Sequence, residues 1–212
     1  IVHIGVGGFH RAHQAAYLDQ LMNEGKALEW GVSGVGLLAS DRRMHEVMTA
    51  QDCLYTLVIK HPDGSLHPRV VGSIIRYLFA PDDPEAVLEL MADPGTRIVS
   101  LTITEGGYLV HPVTGEFDAA EASIQVDLVA SSTPTTAFGF ITEALSRRRE
   151  RGVPPFTVMS CDNIPGNGDV AHRLISAFAR LKDREHAGWR EGEGSVPNSL
   201  GDRITPGRTE RE

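Results

Sequence analysis

The chain has 212 residues, 41% of them hydrophobic, enough for one large domain or two small ones around a real core. A formal charge of -8 argues against nucleic acid or an anionic membrane surface as partner, since either selects a basic face. No apolar stretch reaches membrane-spanning length and no charged-then-apolar leader opens the chain, while two distant cysteines, Cys53 and Cys161, fit a reducing cytoplasm and offer neither a disulfide framework nor a metal spacing.

Ile1 to Ile4 reads as a short strand running into Gly5-Val6-Gly7-Gly8, and Phe9 to Glu24 has helical spacing with Ala15, Leu18 and Met22 on one face and Gly25 as a stop. Trp30 to Leu37 reads as a buried strand, with Asp41 after it and a helix over Arg42 to Ala50. Tyr55 to Lys60 and Arg69 to Ile75 flank the turn residues Pro62-Asp63-Gly64-Ser65, which predicts an inserted β-hairpin. Pro84 to Met91 is a helix with proline in its first turn, Arg97 to Thr104 a strand, and His111 to Ala122 a loop. A long helix over Thr135 to Gly152 contains the run Arg147, Arg148, Arg149, Arg151, expected to be a solvated helix end. Phe156 to Cys161 is a further strand, Asn167 to Leu181 a helix, and Ser195 to Pro206 closes the pattern. Alternating strands and helices predict an α/β, doubly wound, mainly parallel sheet, whose ligands bind beyond the carboxyl ends of its strands.

Three segments fall at such ends. In the first, Gly5-x-Gly7 permits a sharp turn and close backbone approach to a pyrophosphate, and Gly8 and Phe9 open a helix whose N–H groups face the anion. The third glycine of the usual fingerprint is replaced by His10. Asp41, after the second strand, is placed to bond ribose hydroxyls, favouring NAD over NADP, and equally to cap a helix, two roles that are compatible; Arg42 and Arg43 beside it would oppose the preference for NAD. In the second segment, Thr104-Glu105-Gly106-Gly107 is either a cofactor contact or a simple turn. In the third, Asp162 to Gly168, Asn163 has the position to donate to a developing alkoxide; a plain loop with Asn167 as helix cap would fit the same residues. His10 and His13 are a helical pair with no third or fourth ligand, so no metal site is expected, and Cys161 reads as a small buried hydrophobe.

Ile4 to His13, Ser100 to Tyr108, Val158 to Asn163, and Pro197-Asn198-Ser199 through Asp202-Arg203-Ile204-Thr205-Pro206 together resemble the polyol-specific long-chain dehydrogenases and reductases, the mannitol dehydrogenase family. The resemblance runs through the whole chain in order. It implies a Rossmann-like NAD-binding domain over residues 1–206, the start of a linker at 207–212, and a covalently continuous, mostly helical C-terminal catalytic domain beyond. It implies metal-free hydride transfer between D-mannitol and NAD, giving D-fructose and NADH, in a cytoplasmic monomer. Asn163 matches an oxyanion-stabilising asparagine and Asp202 the signature aspartate, both catalytic. Gly5, Gly7, Gly8, Phe9, Asp41, Thr104, Glu105 and Asn163 are the cofactor-binding candidates.

Two departures stand out. The family's general-base lysine lies in a Lys-x-x-x-x-Asn-x-x-His motif that this sequence does not contain, and Leu200-Gly201 replaces the usual Met-Val before Asp202. With Ile1 already inside a strand and a charged end at Gly207 to Glu212, the chain is expected to be a fragment, inactive alone. Fructuronate and tagaturonate reductases of the same family are the competing branch; Gly106-Gly107 and Thr114-Gly115-Glu116-Phe117 favour the mannitol branch. The residues also admit a truncated module that binds NAD without catalysis, and a Rossmann-type methyltransferase.

Overall fold

The computed structural model of the chain describes residues 1–111, 116–129, 133–182, 194–200 and 205, the side chain of Glu105 excepted. Asp202, Thr114-Gly115, the anticipated boundary at Pro206 and the linker 207–212 lie outside the described residues. Seven strands are described: β1 Val2–Ile4, β2 Val32–Gly36, β3 Tyr55–Lys60, β4 Leu66–Val71, β5 Ile74–Phe79, β6 Ile98–Leu101 and β7 Thr157–Ser160. The helices are α1 Gly8–Ala12, α2 Gln14–Asn23, α3 Arg42–Ala50, α4 Pro84–Ala92, α5 Thr104–Gly107, α6 Ala122–Leu128, α7 Ala137–Glu150 and α8 Asn167–Lys182.

Five strands form one sheet in the order β5-β2-β1-β6-β7, every pair parallel. From β1 at the centre the chain moves outward through β2 and β5, then returns to β6 and β7 on the other side. The order therefore reverses between β1 and β6, which opens a crevice at their carboxyl ends. This is the expected doubly wound α/β architecture, with β3 and β4 as a separate antiparallel hairpin.

The hairpin departs from expectation in one respect. Its second strand is Leu66–Val71, whereas Ile74–Phe79 is an edge strand of the main sheet. Gly72-Ser73 breaks the apolar run between them, and Asp19 of α2 accepts from the Gly72 N–H at 2.8 Å while pairing with Arg69 at 2.6 Å. The first helix is also not continuous. His13, at φ -120° and ψ -86°, interrupts it and leaves α1 only five residues long.

The strands bury different faces on different layers. Val2, Ile4, Val99, Leu101 and Val158 meet α4, α7 and α8 in the larger apolar core. Val32, Met48, Cys53, Ile74 and Tyr77 form a smaller one on the opposite side. Helix starts follow local chemistry: Asp83 caps α4 by accepting from Ala86 N–H at 2.9 Å with Pro84 following, and Thr136 caps α7 by accepting from Gly139 N–H at 3.1 Å.

The arginine run on α7 is not simply solvated. Arg147 pairs with Glu85, Glu89 and Glu143, and Arg151 with Glu89. Arg148 turns inward and is buried, its guanidinium over the Phe156 ring. It donates to the carbonyls of Pro154 at 2.7 Å, Met91 at 3.1 Å, Asp93 at 2.7 Å and Thr96 at 3.1 Å. One side chain thereby closes the carboxyl end of α4 and ties it to the approach of β7. Removing it strands several carbonyls away from water, each costing about 1–3 kcal/mol. Arg148→Met is expected to lower the unfolding free energy by about 3 kcal/mol or more, read as a shift of the urea midpoint, whereas Arg151→Met should move it by less than about 1 kcal/mol.

Candidate functional site

A cleft of about 740 Å³ opens at the β1/β6 reversal, lined by the glycine turn after β1, the Leu37–Asp41 segment after β2, the Thr102–Leu109 segment after β6, and Ser123 and Thr135 to Ala137 from the neighbourhood of α6 and α7. Gly5 makes the turn possible. Its φ is +92°, and a Cβ there would lie 2.1 Å from the Thr102 carbonyl oxygen, so no other residue fits. Gly7 has a different role: it has ordinary φ, and the nearest atom to an added Cβ is the Gly5 oxygen at 3.9 Å. Gly5 is thus demanded by the fold, while Gly7 leaves open the space a ligand backbone would approach.

His10, in place of the third glycine, is fully buried and stacked on His3, with ring centroids 3.5 Å apart and planes 11° apart. His3 Nδ1 meets Ser100 Oγ at 2.8 Å and its Nε2 meets Thr102 Oγ1 at 2.9 Å; the Thr102 hydroxyl donates to the Gly5 carbonyl at 2.5 Å. A consistent proton assignment has Ser100 donating to Nδ1 and Nε2–H donating to Thr102, which requires a neutral His3. Burial depresses both imidazoles, His3 well below its ordinary range and His10 to about 4. The second wall carries Asp41. Its Oδ2 accepts from Leu38 N–H at 3.0 Å, closing the short 3-10 turn Ala39–Asp41, and makes no side-chain cap bond to α3 although Asp41 stands at that helix's N-cap position. Arg42 is turned away, bonded to Asp82 through both terminal nitrogens and set over Phe79.

The third wall is strained. Thr104 has φ +59°, a left-handed conformation that costs a β-branched residue of order 1–3 kcal/mol. It is held from the neighbouring strand by Asp162, which is buried and accepts from Ile103 N–H at 3.1 Å, Thr104 N–H at 2.9 Å and Tyr108 O–H at 2.9 Å. Gly106 lines the cleft with no atom within 4 Å of an added Cβ.

Of the residues expected from sequence, Gly5, Gly7, Asp41 and Thr104 line this one cleft. Gly8 and Phe9 do not; Phe9 leans on His13, with ring centroids 4.6 Å apart. Asn163 is exposed just beyond β7, at the same end of the sheet but outside the lining. Asn167 is no cap: it is buried, donating to the Ser160 and Asp162 carbonyls and to Ser199. Asn198 caps α8 instead, its Oδ1 accepting from Gly168 N–H at 2.8 Å and Asp169 N–H at 3.1 Å. Burial raises the Cys161 thiol to about 11, which makes it a poor nucleophile. His13 bonds through Nδ1 to the Phe9 carbonyl at 2.9 Å, and no metal-holding group of three side chains occurs among the described residues.

Ser123, Thr135 and Thr136 are lining residues that no sequence motif marks. Thr135 and Thr136 are held by the buried Asp127, which accepts from both amides and both hydroxyls. Nothing local to either threonine announces that arrangement.

A parallel sheet with this strand order and a glycine turn at its reversal defines a Rossmann-type domain. The family described as "Mannitol dehydrogenase Rossmann domain" matches residues 1–212, and the chain belongs to that family. It is 49% identical over 208 residues to a polyol:NADP oxidoreductase of Gluconobacter oxydans, covering 97% of this chain and 42% of that protein. It is 48% identical over 214 residues to a mannitol 2-dehydrogenase of Neosartorya fischeri, covering 100% of this chain and again 42% of the relative. Among solved structures, it superposes with a TM-score of 0.94 and 48% identity on the Pseudomonas fluorescens mannitol 2-dehydrogenase ternary complex with NAD and D-mannitol, covering 99% of this chain and 43% of that one. A D-sorbitol dehydrogenase in substrate-free form matches with a TM-score of 0.93 and 47% identity, with the same coverage.

Two measurements test the site's construction. His3 and His10 are neutral when folded and free to protonate when unfolded, so stability is fully present above about pH 6.5. It is lost as pH falls from there toward about 4, at up to about 1.4 kcal/mol per pH unit for each histidine. Urea midpoints between pH 7.5 and 5 should show that loss, and a flat profile would contradict it. Gly5→Ala should destabilise by about 2–4 kcal/mol and Gly7→Ala by less than about 0.5 kcal/mol, read by thermal or urea unfolding.

Proposed function

We propose that the cleft binds NAD and that the intact protein interconverts D-mannitol and D-fructose by hydride transfer. The observation that carries this reading is the convergence of Gly5, Gly7, Asp41 and Thr104 on one cleft at the strand-order reversal. The residues fit a dinucleotide. Gly7 and Gly106 leave room beside the backbone, and Asp41, anchored on Leu38 through Oδ2, lines the same cleft with a carboxylate able to accept from ribose hydroxyls. NAD, when bound, supplies the hydride acceptor.

The chain's own residues do the rest of what lies within it. Asn163, exposed beyond β7, donates an amide N–H to the substrate oxygen as negative charge develops there. Asp202 supports the same site; Gly5, Gly7 and Thr104 hold the nucleotide inside the cleft, and Gly8, Phe9 and Glu105 follow them in sequence and contribute from its margin. The general base comes from polypeptide beyond this sequence, because the lysine motif is not in it; alone, the 212 residues hold NAD without turnover. The names of the relatives support a polyol or ketose substrate. One relative is named for NADP; a carboxylate lining the cleft after β2, with Arg42 engaged by Asp82, supports NAD for this chain.

The test is an assay of the intact protein with fructose and NADH beside fructuronate and NADH. Oxidation of NADH with fructose is expected; turnover of fructuronate alone would assign the reductase branch, and a melting temperature unmoved by NAD and by NADH would remove the reading altogether. Asp41→Ala should shift the NADH-to-NADPH affinity ratio about tenfold toward NADPH, measured by calorimetry.

A further inference from the structure

We propose that Asp162 is the positioning residue of this cleft: from the end of β7, its carboxylate holds Thr104 in the left-handed conformation and so sets the Thr104–Gly107 turn in the shape that receives the dinucleotide. The inference deepens the reading of the cleft as an NAD site and rests on it. Thr104 lines the cleft at φ +59°, a conformation its β-branched side chain disfavours. Something outside the turn must supply the preference. Asp162 does so across two strand ends, accepting from Thr104 N–H at 2.9 Å with Oδ1 and from Ile103 N–H at 3.1 Å with Oδ2.

The carboxylate is itself fixed. Tyr108 O–H, in the buried core, donates to Oδ2 at 2.9 Å and lies 2.5 Å from Ser160 Oγ. The Asp162 carbonyl accepts from Asn167 Nδ2 at 3.0 Å, which leaves the main chain little freedom. Asn163 follows directly, so the group that shapes the turn also sets where that amide leaves the sheet. Among the described residues, Ile103 N–H, Thr104 N–H and Tyr108 O–H all donate to its two oxygens, which a carboxylate accepts without offering a donor in return. An asparagine keeps the shape but sets an N–H₂ against one of those donors.

The experiment is a double-mutant cycle on NADH affinity in the intact protein, with Asp162→Asn, Thr104→Gly and the pair, each checked for folding by thermal melting. Glycine adopts positive φ unaided, so it removes the need for the clamp. Asp162→Asn is expected to weaken NADH binding about tenfold when Thr104 is present and less than about threefold when glycine replaces it. Any direct loss from Thr104→Gly drops out of that comparison. An equal factor in both backgrounds, or no effect of Asp162→Asn, overturns the proposal while leaving the NAD reading intact. Failure of the unsubstituted protein to bind NADH overturns the NAD reading itself. If Asp162→Asn does not fold, Tyr108→Phe, which strips one bond from the carboxylate, goes through the same cycle; its cost should be smaller and should likewise vanish with glycine at 104.

Discussion

The carbonyl of Gly5 receives the Gly7 N–H at 2.7 Å and the Thr102 hydroxyl at 2.5 Å, and Thr102 is in turn bonded by the buried His3. Through those bonds the glycine turn after β1 is fastened to β6, the strand on the far side of the reversal. Ser100 and Gln14 extend the chain of hydrogen bonds, and His10 closes it by stacking on His3. The central strands therefore carry opposite chemistry on their two faces. Val2, Ile4, Val99 and Leu101 build the apolar core on one face, while His3 and Ser100 form a polar layer on the other. Buried polar groups are tolerable only when bonded. Within this layer, His10 Nε2 is a buried side-chain nitrogen with no hydrogen-bond partner among the described residues.

How much of this is legible in the sequence depends on the range of the interaction. Gly5-x-Gly7 can be read because a sharp turn between strand and helix is written in adjacent residues, and the α3 boundaries follow from one amphipathic run. The replacement of the third glycine by His10 is visible in sequence but not explained there, because its partner is on β1 and the layer below belongs to β6. Asp162 sits beside Asn163, the residue whose amide draws notice in that segment; its bonds to Ile103 and Thr104 span about sixty residues and leave no local trace. Arg148 resembles its surface neighbours by composition, although a helix turns successive side chains to different faces and only one of the run faces the core. The division of Leu66–Phe79 into two strands of two sheets is hidden for the same reason: Asp19, far away in sequence, holds the break at Gly72.

The carboxyl side of the sheet shows a second use of distant residues. Asn198 supplies the cap at the start of α8, and Ser195 accepts from Val158 N–H along the outer edge of β7. A Cβ at Gly168 would lie 2.4 Å from the Pro197 backbone, so the segment's seat on α8 is tight. The Pro197-Asn198-Ser199 signature is therefore partly a docking device. It brings the chain back over the end of β7, beside Asp162 and Asn163.

The placement of β1 has a consequence for the order of assembly. Made before the other strands described, it becomes the middle of the sheet, and its partner on one side, β6, lies nearly a hundred residues further along. Until β6 emerges from the ribosome, one edge of β1 and the polar rings of His3 and His10 have no lasting shelter. The loop that must close is long, and closure precedes any reward from the contacts it makes. The half of the cleft built by β1 and β2 is thus synthesised early but acquires its shape late, when Thr102 arrives to grip Gly5.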